Sequence, residues 1–185
     1  MTATVPAKPP SIVQSLPEGA VILPETEDHA EAVEALNAFT FGPGRFAKTA
    51  YRLRRNNPPV IAYNRICMAH GRLVGAVCFS RVRIGTARAL LLGPLAVHPD
   101  YKNKGIGIAL MQAGMAAAQV AGERLVVLVG DAPYYARAGF SHVPRGQMEM
   151  PGPVDYARLL AHEFVPGSLA EARGMMRADP DTDMN

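Results

Sequence analysis

Apolar positions fall in short runs whose spacing changes along the chain. Residues 20–23 (Ala-Val-Ile-Leu) form a compact apolar run closed by Pro24, which predicts a first strand. Acids at 25, 27 and 28 then suit the start of a helix, and Ala30, Val33, Leu36 and Phe39 recur at helical spacing to about Thr40. Phe41-Gly42-Pro43-Gly44 breaks that pattern. A second helix is expected over 45–56, its Arg45, Lys48, Arg52, Arg54 and Arg55 read first as a solvated face and otherwise as a basic face that attracts an acidic partner. Three strands should follow at 60–69, 73–84 and 87–97, an antiparallel meander with a tight turn at His70-Gly71 and with Val77 and Phe79 on one face. Pro94 is out of place in such a strand, because proline cannot donate to a ladder. From Gly105 to about Ala121 small and apolar residues run almost all round, as expected for a helix pressed on a sheet. Residues 124–129 are continuous enough to be a central parallel strand. A turn at 130–133 leads into a short helix over 134–138, ended by Gly139, and Phe140 begins another strand. The last strand is read at 158–164, followed by a helix-like piece and an acidic, polar tail.

Composition narrows the class. A chain of 185 residues with 49% hydrophobic and 19% charged content can build one substantial core. The expected division is an N-terminal arm at 1–18, rich in proline, a globular unit at 19–165, and an extension at 166–185. Cys67 and Cys78 each lie in a strand-like run and read as buried thiols rather than a disulfide. The N-terminus lacks the continuous apolar stretch of a signal peptide. Residues 105–122 carry no charge, yet four glycines, six alanines and two glutamines make them too weakly hydrophobic for a membrane span. The chain therefore reads as cytoplasmic. A net charge of +3 suits an anionic ligand, and no arginine-rich arm or zinc pattern indicates nucleic acid.

The candidate chemistry lies between the strand at 90–97 and the helix that starts at Gly105. A polar turn, His98-Pro99-Asp100-Tyr101-Lys102-Asn103-Lys104, enters Gly105-Ile106-Gly107-Ile108-Ala109. Backbone N–H groups at a helix N-terminus have no intrahelical partner, and the helix dipole adds positive potential there. Glycines let a phosphate approach them, and Lys102 and Lys104 add charge at the mouth. A P-loop requires Lys-Ser/Thr after its last glycine, where this chain has Ile108-Ala109. A dinucleotide fingerprint requires a third glycine where Leu110 stands, and Asp131 is too distant to serve as its acid.

The surviving pattern, Lys102-Asn103-Lys104-Gly105-Ile106-Gly107 with Leu95-Ala96-Val97 before it and Tyr134-Tyr135-Ala136-Arg137-Ala138-Gly139-Phe140 after it, resembles the GCN5-related N-acetyltransferase (GNAT) family. The run Leu-Gly-Pro-Leu-Ala-Val is similar to its YhbS-like bacterial branch. The resemblance covers roughly residues 19–165. It implies an α/β fold whose mixed, mostly antiparallel sheet has a parallel central pair splayed at an acetyl-CoA site, with helices on its faces and a bulge near Gly93-Pro94. It implies an acetyl-CoA-dependent transferase (CoA as product) that acetylates a primary amine, on a small molecule or a peptide, by direct attack. Leu95, Ala96 and Val97 would hold the acetyl and pantetheine arm, and Lys102, Asn103, Lys104, Gly105, Ile106, Gly107, Ile108 and Ala109 would surround the pyrophosphate. Tyr135 maps to the proton donor for the leaving sulfur, and Tyr134 to a cofactor contact. The helix over 45–56 would help cover the acceptor.

The general base stays open between Asp131, His98 and water. Asp131 reads more readily as a helix cap and His98 as part of a turn. No His, Cys or carboxylate cluster has metal spacing. A non-catalytic acyl-CoA sensor is the alternative reading, and oligomeric state is left open.

Overall fold

The computed structural model describes residues 16–180, so most of the expected N-terminal arm lies outside it. Chain order is β1 (Ala20–Pro24), α1 (Ala30–Phe41), α2 (Thr49–Arg52), β2 (Arg65–Ala69), β3 (Arg72–Ile84), β4 (Ala87–Val97), α3 (Ile106–Val120), β5 (Leu125–Val129), α4 (Ala132–Ala136), β6 (Ser141–His142), β7 (Met148–Glu149), β8 (Leu159–Glu163), α5 (Ser168–Glu171) and β9 (Gly174–Ala178). The strands order as β1-β2-β3-β4-β5-β8-β6, with β9 beside β3 and β7. Two of the pairings, β4 with β5 and β7 with β9, are parallel. No helix among the described residues is long and apolar enough to cross a membrane.

β3 is the spine because both of its faces are covered, and residues 74–80 are buried without interruption. Side chains alternate across a sheet, so Val77 and Phe79 face α3 while Ala76 and Cys78 face α1. The turn between β2 and β3 places His70 and Gly71 at φ 50° and 75°, the double left-handed pair that a two-residue hairpin needs. Cys67 pairs opposite Gly75, so the two thiols are not cross-strand neighbours, and both are free and buried.

Three expectations are corrected. The helix over 45–56 is instead a 3₁₀ turn at Pro43–Ala47 and a single α-turn, separated by Lys48 in extended geometry. Asn56 at φ 57° ends the segment. The strand expected from 60 begins only at Arg65, because Asn64 replaces backbone pairing: its Oδ1 accepts from Phe79 N–H at 2.9 Å, and its Nδ2 donates to Glu25 at 3.0 Å. Finally, residues 174–178 are a strand rather than polar tail. β9 extends the β3 edge beyond β2 at residues 82–84, buries Met176 completely, and sets Asp179 against Arg83 at 3.1 Å.

Helix α3 lies on β3 at short range. A Cβ on Gly114 would meet the Phe79 ring and stand 2.8 Å from Tyr63 O, which is backbone. Gly114→Val should therefore destabilise by about 3 kcal/mol through overpacking. Gly44→Ala, with nothing within 4 Å of the added atom, should be near neutral. Denaturant midpoints of the two variants check this.

Candidate functional site

The site originates in a defect of β4. Against β3, Leu95 pairs with Val77 and Leu92 with Phe79, so Gly93 and Pro94 together oppose the single residue Cys78. This is the bulge expected near Pro94, with Gly93 at φ 119° and a cis Gly93–Pro94 peptide. On the other side, β5 pairs only with Leu90 and Leu91. Beyond them the parallel strands diverge, and the β5-facing backbone of 92–97 is left without a strand. The β3 side continues in register, Ala96 with Ala76 and Val97 with Gly75, which holds residues 95–97 straight.

The polar turn delivers the chain from that gap to α3. His98 Nδ1 accepts from Asp100 N–H at 3.3 Å and its ring stacks on Phe39 at 5.2 Å, so it serves the turn. Asn103 and Gly105 take left-handed φ of 61° and 79°, and Gly105 is the residue before the first helical turn. A cavity of about 220 Å³ opens there, lined by Val97, Tyr101, Lys102, Asn103, Gly105, Ile106, Gly107, Ile108, Tyr134 and Arg137. Lys104 and Ala109 are outside this lining, and Lys104 Nζ lies 5.1 Å from the Tyr101 ring. Leu95 and Ala96 are also outside it; Ala96 turns its fully buried side chain toward α1. Arg137 and Tyr101 are additions. Arg137 was legible as the residue one turn beyond Tyr134.

Gly107 fits this cradle for a steric reason. A Cβ there would collide with Tyr134 Oη and sit 3.4 Å from its Cζ and 3.6 Å from Val97 Cγ2. A helix start with glycines at 105 and 107, Lys102 in the same lining and Tyr134 laid over Gly107 has the chemistry that suits an anion. Tyr135 packs edge-on against Tyr134 and Phe140, with ring centroids 5.1 and 6.0 Å apart, and against Gly130 at the end of β5. Burial pushes its phenol up to about 12, with Arg54 and Arg158 pulling the other way. Asp131 occupies the N-cap position of α4, is exposed, and makes no side-chain cap bond.

A second cavity, of about 450 Å³, lies on the face that α1 covers. Pro94 lines it while Val97 lines the first, so β4 is a wall shared by both. Ala30, Val33, Phe46 and Pro59 give it an apolar side; Glu25, Arg52, Arg54 and Arg55 give it charge. The solvated face expected at 45–56 holds for Lys48, Arg52 and Arg55, which are exposed, and is corrected for Arg45 and Arg54. Arg45 is buried, bonded to Gly42 O and Glu34, and Arg54 reaches the bulge, its Nη2 3.0 Å from where a Gly93 Cβ would be. The turn at Pro43–Ala47 places Arg45 and the reversal around 53–57 places Arg54, breaks that helical periodicity cannot foresee. Burial lowers the Arg54 guanidinium to about 10 and raises the Glu25 carboxyl, against the pull of the Asn64 hydrogen bond. Cys78, 4.0 Å from Glu25 Oε2, is pushed up to about 12 by burial and stays a thiol.

A mixed sheet with a parallel β4–β5 pair, otherwise mostly antiparallel and flanked by helices, matches the fold of solved GNAT structures. A model of the acetyltransferase (GNAT) domain matches residues 60–142, and over that span the chain is similar to the GNAT family. Among solved structures it is similar to the GNAT N-acetyltransferase YhbS of Escherichia coli in complex with CoA: TM-score 0.75, 23% identity, 89% of this chain and 91% of that one. A GNAT acetyltransferase of Brucella melitensis in complex with acetyl-CoA matches with TM-score 0.60 and 27% identity over 80% and 89% of the two chains. YjhQ of Escherichia coli K12, an uncharacterized N-acetyltransferase, is 27% identical over 115 residues, 60% of this chain. That match spans 64% of YjhQ, just under two thirds of its length.

Glu25 gives the site a stability signature. Its folded pKa lies above the value of 4.5 taken for the free side chain, so folding favours the protonated form. That contribution is complete below the unfolded pKa and is lost as pH rises through the folded one. Glu25→Gln, which keeps an acceptor for Asn64, should therefore melt higher than the parent at pH 7, with the gap closing as pH falls below about 4. Thermal midpoints against pH check it.

Proposed function

We propose that the chain is an acetyl-CoA-dependent N-acetyltransferase that moves the acetyl group to a primary amine while both substrates are bound. The observation that carries this is the 102–108 turn, with Gly107 beneath Tyr134, leading out of the β4–β5 gap. Acetyl-CoA, the donor substrate, would bring an acetyl thioester. Lys102, Asn103, Arg137 and the N–H groups of 105–108 suit its pyrophosphate, and Lys104 adds longer-range charge. The unpaired backbone of Leu95, Ala96 and Val97 suits the pantetheine arm. The amine would enter through the larger cavity and meet the thioester at the bulge.

Two residues move protons in this reading. Glu25 takes a proton from the amine as its nitrogen bonds to the acetyl carbon; a desolvated carboxylate is a stronger base than one in water. Tyr135 gives a proton to the sulfur released as the carbon–sulfur bond breaks. Its phenol is fully protonated at neutral pH, so it is always ready to donate. Asp131 and His98 fit the base role less well, since one is exposed to solvent at the start of α4 and the other is engaged with its own turn; Tyr135 lies behind Tyr134, outside both cavity linings.

Calorimetric titration with acetyl-CoA should give saturable binding, and Gly107→Glu should abolish it by placing bulk and negative charge under the pyrophosphate. Unchanged affinity in that variant would overturn the assignment of the turn. Tyr135→Phe should lower turnover by about 10²–10⁴ with acetyl-CoA affinity nearly intact. Tight acetyl-CoA binding with no CoA release to any amine would favour the non-catalytic sensor instead.

A further inference from the structure

The larger cavity carries a pattern of unmet charge and unmet hydrogen bonding that the transfer reaction does not itself require. Arg52, Arg54 and Arg55 all line it, and none forms an ion pair with a described carboxylate. Glu34, in the same wall, is taken by Arg45. Arg54 is the most committed of the three. Its Nε is buried without a partner, its guanidinium lies 5.1 Å from the Tyr51 ring centre, and its Nη2 is beside Gly93 at the bulge. A desolvated guanidinium without an anion is costly, and its planar fork matches a carboxylate.

Four of the buried polar atoms without a partner belong to residues of this one wall: Asn37 Oδ1, Asn57 Oδ1, Tyr51 Oη and Arg54 Nε. Asn37 and Asn57 are 5% and 4% exposed, and their oxygens are shut off from solvent just behind the cavity lining. The orientation of Asn57 is fixed by chemistry. Its Nδ2 donates to Leu53 O and Arg81 O at 3.0 and 2.8 Å, which leaves Oδ1 as a true acceptor. Buried groups of this kind are met by water or by ligand. The wall thus offers the Glu25 carboxyl for an amine, a fork for an anion at the place where the amine must react, and an apolar side, with partnerless polar atoms packed behind it.

We propose that the acceptor is an amino carboxylate with an apolar body, its carboxylate held by Arg54 and its amine received by Glu25. This rests on the acetyl-transfer reading above and narrows its acceptor. Because Arg54 stands at the bulge itself, carboxylate and amine must be close neighbours in the acceptor, as in an α-amino acid. The N-terminus of a peptide, whose nearest carbonyl is an amide, would leave the guanidinium unmet.

The test uses the full chain, acetyl-CoA, and matched pairs of L-leucine, L-methionine and L-phenylalanine with their amides, followed by CoA release. The free amino acids should be preferred in kcat/KM by about 100-fold. The amide's amine is the weaker base and more of it is neutral, so that bias runs against the expected result. Arg54→Met should collapse the preference toward unity, and Arg54→Lys should restore part of it. Calorimetry on CoA-saturated protein should show the amino acid binding and the amide not. Equal use of acid and amide, or an equal loss for both in Arg54→Met, would overturn the inference while leaving acetyl transfer standing. Failure to bind acetyl-CoA together with no CoA release to any amine would overturn both.

Discussion

The short ladder between β4 and β5 is the constraint on which the rest depends. Parallel strands normally bond along their shared length, but here the pairing stops after Leu90 and Leu91 because Gly93 and Pro94 take an extra step against β3. One extra residue therefore does three things. It opens a gap between two central strands, leaves backbone groups of 95–97 without a strand partner on that side, and puts Pro94 and Val97 into the walls of different cavities. The cost of an unpaired central strand is tolerable only if the surrounding sheet is rigid. That rigidity comes from β3, buried on both faces and paired along nearly all its length by β2 and β9 on one edge and β4 on the other.

Support for the gap is spread over distant parts of the chain. Asn64 fastens β3 at Phe79 N–H and fastens Glu25 to the cavity wall with its other end, so one buried amide couples the spine to the candidate base. Gly130 at the end of β5 allows the Tyr135 ring to pack directly on the backbone, and Gly107 does the same for Tyr134. Two adjacent tyrosines are thus sent to different tasks by two glycines on different elements. Tyr134 covers the helix start, and Tyr135 lies at the mouth of the splayed strands.

Strands with strong local signals were legible: the continuous apolar run of β5, the hairpin at His70-Gly71, and the anomalous Pro94 that marks the bulge. The position of the 102–108 turn between β4 and α3 was legible too, because its glycines set the backbone locally. The acceptor cavity was not. Its wall is assembled from residue 25, the 33–37 face of α1, the 51–57 reversal and alternate positions of β3, and no periodicity links those segments. Arg54 looks like any surface arginine until the chain reversal at Asn56 is known. β9 was hidden for another reason: Gly174-Met175-Met176-Arg177-Ala178 is too short and too charged at its flanks to read as a strand, and gains that role only because β2 leaves the far end of β3 uncovered.

On the proposed reading, the charges in the larger cavity are stored binding energy. A buried guanidinium lowered to about 10 and a carboxyl raised by the same desolvation both oppose folding at neutral pH. They do not neutralise each other as an ion pair, although both lie near Cys78. A protein that needed only stability would pair them or replace them with apolar residues of similar volume. Holding them apart across a cavity keeps a positive and a negative site ready for a molecule that carries both signs. The fold tolerates that strain because β3 and the two helices on its faces are packed enough to hold the wall in place without it.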